Sequence, residues 1–190
     1  MAFISVREYE VKVRVEDLNA VERKLISAGW RLEDFLDEED RYVSLTHCAG
    51  NPARQIALRL RLRKSLISNE ISSELTFKGR VTEEGIKARE ELTAPLVDPD
   101  TVTKILILSG FPIITVSKRR RIYSREGCNV KVYLDEVFGL GSFVEVEVIN
   151  PASRSDYVSA LNEVKELLDL SREENIVKSY LELSLEARRK

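Results

Sequence analysis

Polar and apolar residues alternate one by one through much of this chain. From Glu8 to Val15, one side of an extended strand carries Glu8, Glu10, Lys12 and Arg14, and the other Tyr9, Val11, Val13 and Val15. The same two-residue period returns at Arg59, Arg61 and Arg63 against Leu58, Leu60 and Leu62. Glu74, Thr76, Lys78 and Arg80 oppose Leu75, Phe77 and Gly79, and Lys131, Tyr133 and Asp135 alternate with Val130, Val132 and Leu134. Glu145 and Glu147 alternate with Val144, Val146 and Val148. The pattern predicts strands near 4–15, 40–48, 55–65, 71–80, 86–93, 113–124, 129–137 and 142–149. Helical spacing fits 16–29, 98–110, 153–169 and 173–187, with Asp17 suited to cap the first helix, Gly29 to end it, and Gly110 to close the second before Pro112. Turn signals fall at Asn51-Pro52, Glu84-Gly85 and Glu126-Gly127-Cys128-Asn129. No linker, repeat or low-complexity stretch divides the chain, so residues 1–190 read as one α+β domain.

A strand with one apolar and one charged face ordinarily belongs to a sheet with one wet side. Three features favour a different arrangement. About eight strands share the pattern, enough to close an antiparallel β-barrel and remove its edges. Two helices offer apolar stripes to cover the outside: Leu18, Val21, Leu25 and Ile26 in the first, Val102, Ile105, Leu106 and Leu108 in the second. The charges also segregate, with carboxylates on the first and last strands and cations on the middle ones. Together these predict a closed or nearly closed barrel with helices outside, including the C-terminal ones from about residue 153, and the charged faces inside.

A charged interior needs compensation. Arg and Lys alone would suit an anion, but Glu8, Glu10, Glu145 and Glu147 in the same cavity would repel a phosphate unless cations lay between. Carboxylate oxygens without His or Cys ligands suit Mg2+ or Mn2+ rather than zinc. The formal net charge of -2, from 30 basic and 32 acidic residues, gives no global attraction to nucleic acid or membrane. Cys48 and Cys128 lack metal-ligand spacing and read as ordinary thiols in a reducing compartment. Charged residues in the first dozen positions exclude a signal peptide, and no apolar run approaches the ~20 residues of a membrane span, so the expected location is cytoplasmic. A homodimer is left open. His47, the only histidine, reads as structural, and no histidine-based chemistry is expected.

Several segments in order resemble one family. Glu8-Tyr9-Glu10-Val11-Lys12 resembles the ExExK signature of the CYTH superfamily, the triphosphate tunnel enzymes. Asp40-Arg41-Tyr42, Ala57-Leu58-Arg59-Leu60-Arg61, Thr76-Phe77-Lys78-Gly79, Arg89-Glu90-Glu91 and Lys118-Arg119-Arg120 resemble its successive strand motifs. Asp135-Glu136-Val137 followed by Leu140-Gly141-Ser142-Phe143-Val144-Glu145-Val146-Glu147 resembles its closing strands. Lys178-Ser179-Tyr180-Leu181-Glu182-Leu183 is similar to the tail of class IV adenylyl cyclases and their archaeal relatives, and also fits a plain amphipathic helix packed on the barrel. One position departs: Glu38 stands where the family usually has Gln.

The resemblance implies that Arg59, Arg61, Lys78, Lys118 and Arg120 bind a triphosphate, with the arginines forking its oxygens. It implies metal ligation by Glu8, Glu10, Asp135, Glu145 and Glu147. Glu8, Glu10 and Lys12 are the implied catalytic set, Lys12 touching the terminal phosphate or orienting the carboxylates. Arg14 and Arg63, at strand ends, are expected to be solvated, and Arg119 and Arg121 to point outward. The basic set is further expected to repel itself when no ligand is present. Two reactions fit such a site: cyclisation of ATP to cyclic AMP and pyrophosphate, as in class IV adenylyl cyclases, or hydrolysis of thiamine triphosphate, inorganic triphosphate or a nucleoside triphosphate. A non-catalytic nucleotide or polyphosphate binder is a third reading, disfavoured because a pure anion binder gains nothing from four glutamates.

Overall fold

The computed structural model describes residues 6–7, 9–45, 56–79 and 90–188. Glu8, His47, Cys48, the Asn51-Pro52 and Glu84-Gly85 turns, Arg80 and Arg89 lie outside the described residues. In chain order the elements are β1 (Val6–Arg7), β2 (Glu10–Val15), α1 (Leu18–Ser27), β3 (Arg31–Val43), β4 (Ala57–Ser65), β5 (Ile71–Lys78) and β6 (Glu90–Pro95). Then follow α2 (Pro99–Leu108), β7 (Ile113–Ser124), β8 (Val130–Val137), β9 (Gly141–Val148), α3 (Arg154–Leu167) and α4 (Tyr180–Ala187).

One antiparallel sheet joins the strands in the order β1-β6-β5-β4-β3-β7-β8-β9-β2. Its two edge strands are consecutive pieces of the N-terminal stretch: β1 pairs with β6 through Val6↔Glu91, while β2 pairs with β9 through Lys12↔Glu145. Three Cα steps separate Arg7 from Glu10, at most about 11 Å, so the sheet must curl until its edges approach. The ladder itself stops at β1 and β2, and the expected closed barrel is here a curled sheet joined through the chain, not through hydrogen bonds.

The helices sort the two faces. Asp17 caps α1 by accepting from the backbone N–H groups of Asn19 and Ala20, and Gly29, at φ +82°, takes the left-handed turn that ends it. Leu18, Val21 and Leu25 of α1 and Tyr157, Leu161 and Val164 of α3 follow helical spacing and are buried. They pack with Val11 and Val13, Val130, Val132 and Leu134, and Val144, Val146 and Val148, which form the convex face of the sheet. The opposite side chains of the same strands therefore face the concave side.

Three elements differ from expectation. β3 begins at Arg31, nine residues before the predicted strand, because a register shift between Leu32 and Asp34 interrupts the alternation. α2 covers the outside only in part: Val102 and Leu106 are half-buried and Arg41 of β3 binds Asp100 and Thr103, but Ile105 and Leu108 remain largely exposed. The last helix starts at Tyr180 and not near 173, because Ile176 exchanges two backbone hydrogen bonds with Lys12 and extends the β2 edge by an isolated bridge. The predicted outer packing of the C-terminal segment holds for α3, while α4 brings Tyr180 to the concave side.

These assignments separate two leucine-rich helices by cost. Leu25→Ala in α1 is expected to lower stability by about 2–5 kcal/mol, because a wholly buried side chain leaves a cavity. Ile105→Ala in α2 should change it by less than about 0.5 kcal/mol. Urea denaturation of both variants measures the contrast.

Candidate functional site

Two-residue alternation carries the charged side chains of β2, β3, β4, β5, β7, β8 and β9 to the concave face. Lys12, Arg59, Arg61, Lys78, Lys118 and Arg120 are all buried there, as are Glu10, Glu38, Asp40, Glu91, Asp135 and Glu145. The predicted triphosphate-binding set is thus brought together on β4, β5 and β7, which flank β3 or follow it outward in the sheet. Arg119 and Arg121 have the opposite parity and pair outside, with Asp37 and Glu22, as expected.

Ion pairs fill this face. Arg61 binds Asp40 with both arms of its fork, Nε to Oδ1 at 2.5 Å and Nη2 to Oδ2 at 2.7 Å. Arg120 does the same to Asp135, at 2.7 and 2.5 Å, and reaches Glu145 at 3.0 Å. Lys118 Nζ lies 2.7 Å from Glu38 and 3.3 Å from Asp40. Lys78 pairs with Glu91, and Arg59 with Glu74 at 3.1 Å. Lys12 Nζ bridges Glu10 at 3.0 Å and Glu145 at 2.9 Å. Tyr133 donates to Glu147.

Two expectations about charge change here. Carboxylates are not confined to the first and last strands: Glu38 and Asp40, on central β3, stand between the cations of β4 and β7. The basic set consequently does not repel itself unopposed, since Arg61 already holds Asp40. Arg63 is not simply solvated either, because it binds Glu38 at 2.8 Å and Glu74 at 2.9 Å. Arg14 is exposed as expected, donates to the Leu140 carbonyl at 2.6 Å and stacks over Phe143.

The alternation rule already carried the signal for Glu38 and Asp40, since both share the parity of Tyr42. The predicted strand at 40–48 includes Asp40 but stops short of Glu38, which β3 carries because it begins at Arg31. Tyr180 gave a weaker signal. Its hydroxyl donates to Asp135 at 2.7 Å, and its ring lies 5.2 Å from Lys12 Nζ and 5.6 Å from Lys118 Nζ. Ser179 and Glu182 form a capping box that fixes the start of α4 and hence the entry of that ring.

The oxygen-donor chemistry of Glu10, Glu145 and Glu147 fits a hard divalent cation, with Glu10 facing Glu147 across β2 and β9. Both oxygens of Asp135, an expected ligand, are engaged by Arg120 and Tyr180. Among the described residues no three Asp, Glu, His or Cys side chains converge as a metal-binding group, and Glu8 lies outside them.

Burial alone would raise the pKa of Asp40 and of Glu38, but the charge of Arg61, then of Lys118, overcomes it and holds both well below the usual carboxylate range. Burial, reinforced by Arg61, pushes Lys118 down.

The CYTH domain family model matches residues 6–180. The chain belongs to the CYTH family. It is 30% identical over 179 residues to "Putative adenylate cyclase MJ0240" of Methanocaldococcus jannaschii, covering 93% of this chain and 97% of that protein. The PH1819 protein of Pyrococcus horikoshii OT3 superposes with a TM-score of 0.77 at 28% identity, over 94% of this chain and 98% of its own. HpAC1 of Hippeastrum shares the fold, with a TM-score of 0.67 at 19% identity over 94% of this chain and 95% of its own. No helix among the described residues is long and apolar enough to cross a membrane.

Two outcomes follow from the ion pairs. Arg61→Ala should cost about 3–5 kcal/mol of ligand-free stability, because Asp40 loses its forked partner while remaining buried. Chemical denaturation measures this, and unchanged stability would mean that Arg61 and Asp40 are not paired. The carboxylates of Glu38 and Asp40 have depressed folded pKa values, so their contribution is complete above the unfolded values near 4 and is lost as pH falls through the folded ones. Melting temperature should stay level from pH 7 to about 5 and drop below about pH 4.

Proposed function

We propose that this CYTH protein is a metal-dependent enzyme acting on a triphosphate held on its concave face. The reaction assigned is that of a class IV adenylyl cyclase, ATP to cyclic AMP and pyrophosphate. The observation that carries the reading is the gathering of Arg59, Arg61, Lys78, Lys118 and Arg120, all buried, on adjacent or neighbouring strands of one concave face. Buried cations at this density are uncommon in a core built only for stability. The M. jannaschii relative's name supports the cyclase assignment.

The side chains divide the work. The forked guanidiniums of Arg59, Arg61 and Arg120 suit the oxygens of a phosphate chain, and Lys78 and Lys118 add compact charges between them. Arg59 Nε is buried without a hydrogen-bond acceptor in the ligand-free protein, a donor available to a phosphate oxygen. Among the described residues, carboxylates on this face match the cations closely in number, so these residues offer a polyanion little net positive charge. Mg2+ or Mn2+, held by Glu8, Glu10, Asp135, Glu145 and Glu147 in the assignment from sequence, would supply the missing charge and polarise the phosphate oxygens. Lys12 keeps Glu10 and Glu145 aimed together. In cyclisation the ribose 3′-oxygen attacks the α-phosphorus, the bond to the β-bridging oxygen breaks, and pyrophosphate leaves with that electron pair. The hydroxyl proton would pass to a carboxylate of the implied catalytic set, Glu8 or Glu10.

A triphosphatase is the second reading, in which water attacks the terminal phosphorus. It is favoured by HpAC1, a protein of the same fold with a dominant triphosphatase activity. Both readings place the same phosphates on the same cations and differ in the nucleophile and in what holds the base.

Incubation with ATP, inorganic triphosphate and thiamine triphosphate under Mg2+ and Mn2+ separates them, with cyclic AMP, pyrophosphate and orthophosphate quantified independently. Cyclic AMP with equimolar pyrophosphate is expected. Orthophosphate alone would replace the cyclase reading with the triphosphatase, and no turnover of any substrate would leave a binder. Glu147→Gln is expected to lower turnover at least about a hundredfold while the fold survives, since it removes a charged ligand at nearly constant shape. Full activity in that variant, or in excess chelator, would refute the metal assignment.

A further inference from the structure

Glu38 sits where the cations of two strands converge. It lies on β3, between β4 and β7, and its side chain is 1% exposed. Arg63 Nε donates to its Oε1 at 2.8 Å, and Lys118 Nζ lies 2.7 Å from its Oε2. Arg61 Nη1 and Arg120 Nε stand 3.8 and 3.9 Å away. Arg61, Arg63 and Arg120 each have a second carboxylate, in Asp40, Glu74 and Asp135. The Lys118 contact is ionic without a well-directed hydrogen bond to Oε2, so that oxygen is held by charge and not by geometry. The chain thus places its own anion at the meeting point of three cations that the proposed function assigns to phosphate.

A phosphate oxygen that reaches Lys118 or Arg61 must come close to this carboxylate. Sharing those cations between two anions is repulsive unless positive charge arrives with the ligand. A free polyphosphate brings only negative charge, whereas its divalent-cation complex brings compensation. Resting on the triphosphate reading above, we propose that Glu38 is a specificity determinant: it makes the site refuse metal-free polyphosphate and accept the cation-complexed form. Glu38→Gln tests this at nearly constant shape, because the amide oxygen can still accept from Arg63 while the charge is gone.

The measurement is calorimetric titration of inorganic tripolyphosphate into the whole protein, once with excess Mg2+ and once with excess chelator, with circular dichroism to verify folding. The wild-type protein should bind with Mg2+ and at least about tenfold more weakly without it. Glu38→Gln should bind metal-free tripolyphosphate at least about tenfold more tightly than wild type, which narrows the gap between the two conditions. Glu38→Asp keeps the charge and should keep the wild-type ratio. Equal ratios in wild type and Glu38→Gln would overturn the proposal, as would a wild-type protein indifferent to Mg2+. Loss of the ratio in Glu38→Asp would assign it to shape and also overturn it. Failure of the wild-type protein to bind tripolyphosphate in either condition is a separate outcome that removes the triphosphate reading, and this proposal with it.

Discussion

Neutralisation across the concave face is the constraint on which this architecture depends. A curled sheet with helices on its convex side has nowhere to turn its second set of side chains except inward, and in this chain that set is charged. Each cation placed there is tolerable only because a carboxylate on a neighbouring strand meets it: Asp40 for Arg61, Asp135 for Arg120, Glu91 for Lys78. Register makes those meetings. Arg61 lies directly across from Asp40, Arg120 across from Asp135, and Lys12 across from Glu145. A one-residue slip of any of these strands would put its Val and Leu inside and its charges under the helices. The ion pairs and the apolar cover therefore specify the same register from opposite faces.

Much of this was legible in the sequence because both signals are local. A period of two along Glu8–Val15 or Leu58–Arg63 assigns a strand and its faces without knowledge of any partner, and every long predicted strand has a counterpart. What was hidden depended on pairing. The start of β3 lies in an acidic run, Glu33-Asp34-Phe35-Leu36-Asp37, with a register shift at its head, so neither alternation nor propensity marks it. Glu38 stands out in the sequence only as a departure from the family's Gln; its pairing with Lys118 depends on the register of β3 against β7. Apolar spacing in α2 promised fuller burial than the fold gives, with Val102 and Leu106 half-buried and Ile105 and Leu108 exposed, since a stripe records what a helix could cover and not where the chain carries it. Helical spacing includes Ile176, because its link to Lys12 lies more than 160 residues back along the chain and leaves no local mark.

The candidate site divides in the same way. The concave placement of its cations and of the glutamates of β2 and β9 follows from parity alone. The arrangement of those groups does not. Asp135 reads as one more carboxylate in sequence, yet it is the point where Arg120 and Tyr180 meet, linking the charged concave face to the C-terminal helix. Tyr180 is a rigid, amphipathic contact there: its ring stands beside two lysines while its hydroxyl binds an acid. The tail is in this way part of the electrostatic lattice as well as part of the packing.

The splitting of one N-terminal stretch between both edges of the sheet has a consequence for how the molecule is made. During synthesis, the segment that becomes β2 leaves the ribosome early, but its ladder partner, residues 141–148, is among the last parts of the sheet to emerge. Until then Val11 and Val13 have no strand beside them, and Lys12 has neither Glu145 nor the Ile176 bridge. The central hairpin of β3 and β4 can assemble first, whereas joining the edges requires loop closure over more than a hundred residues. Vectorial synthesis should thus yield a half-formed sheet with a waiting N-terminal edge, and the charged face becomes enclosed only when the chain is nearly complete.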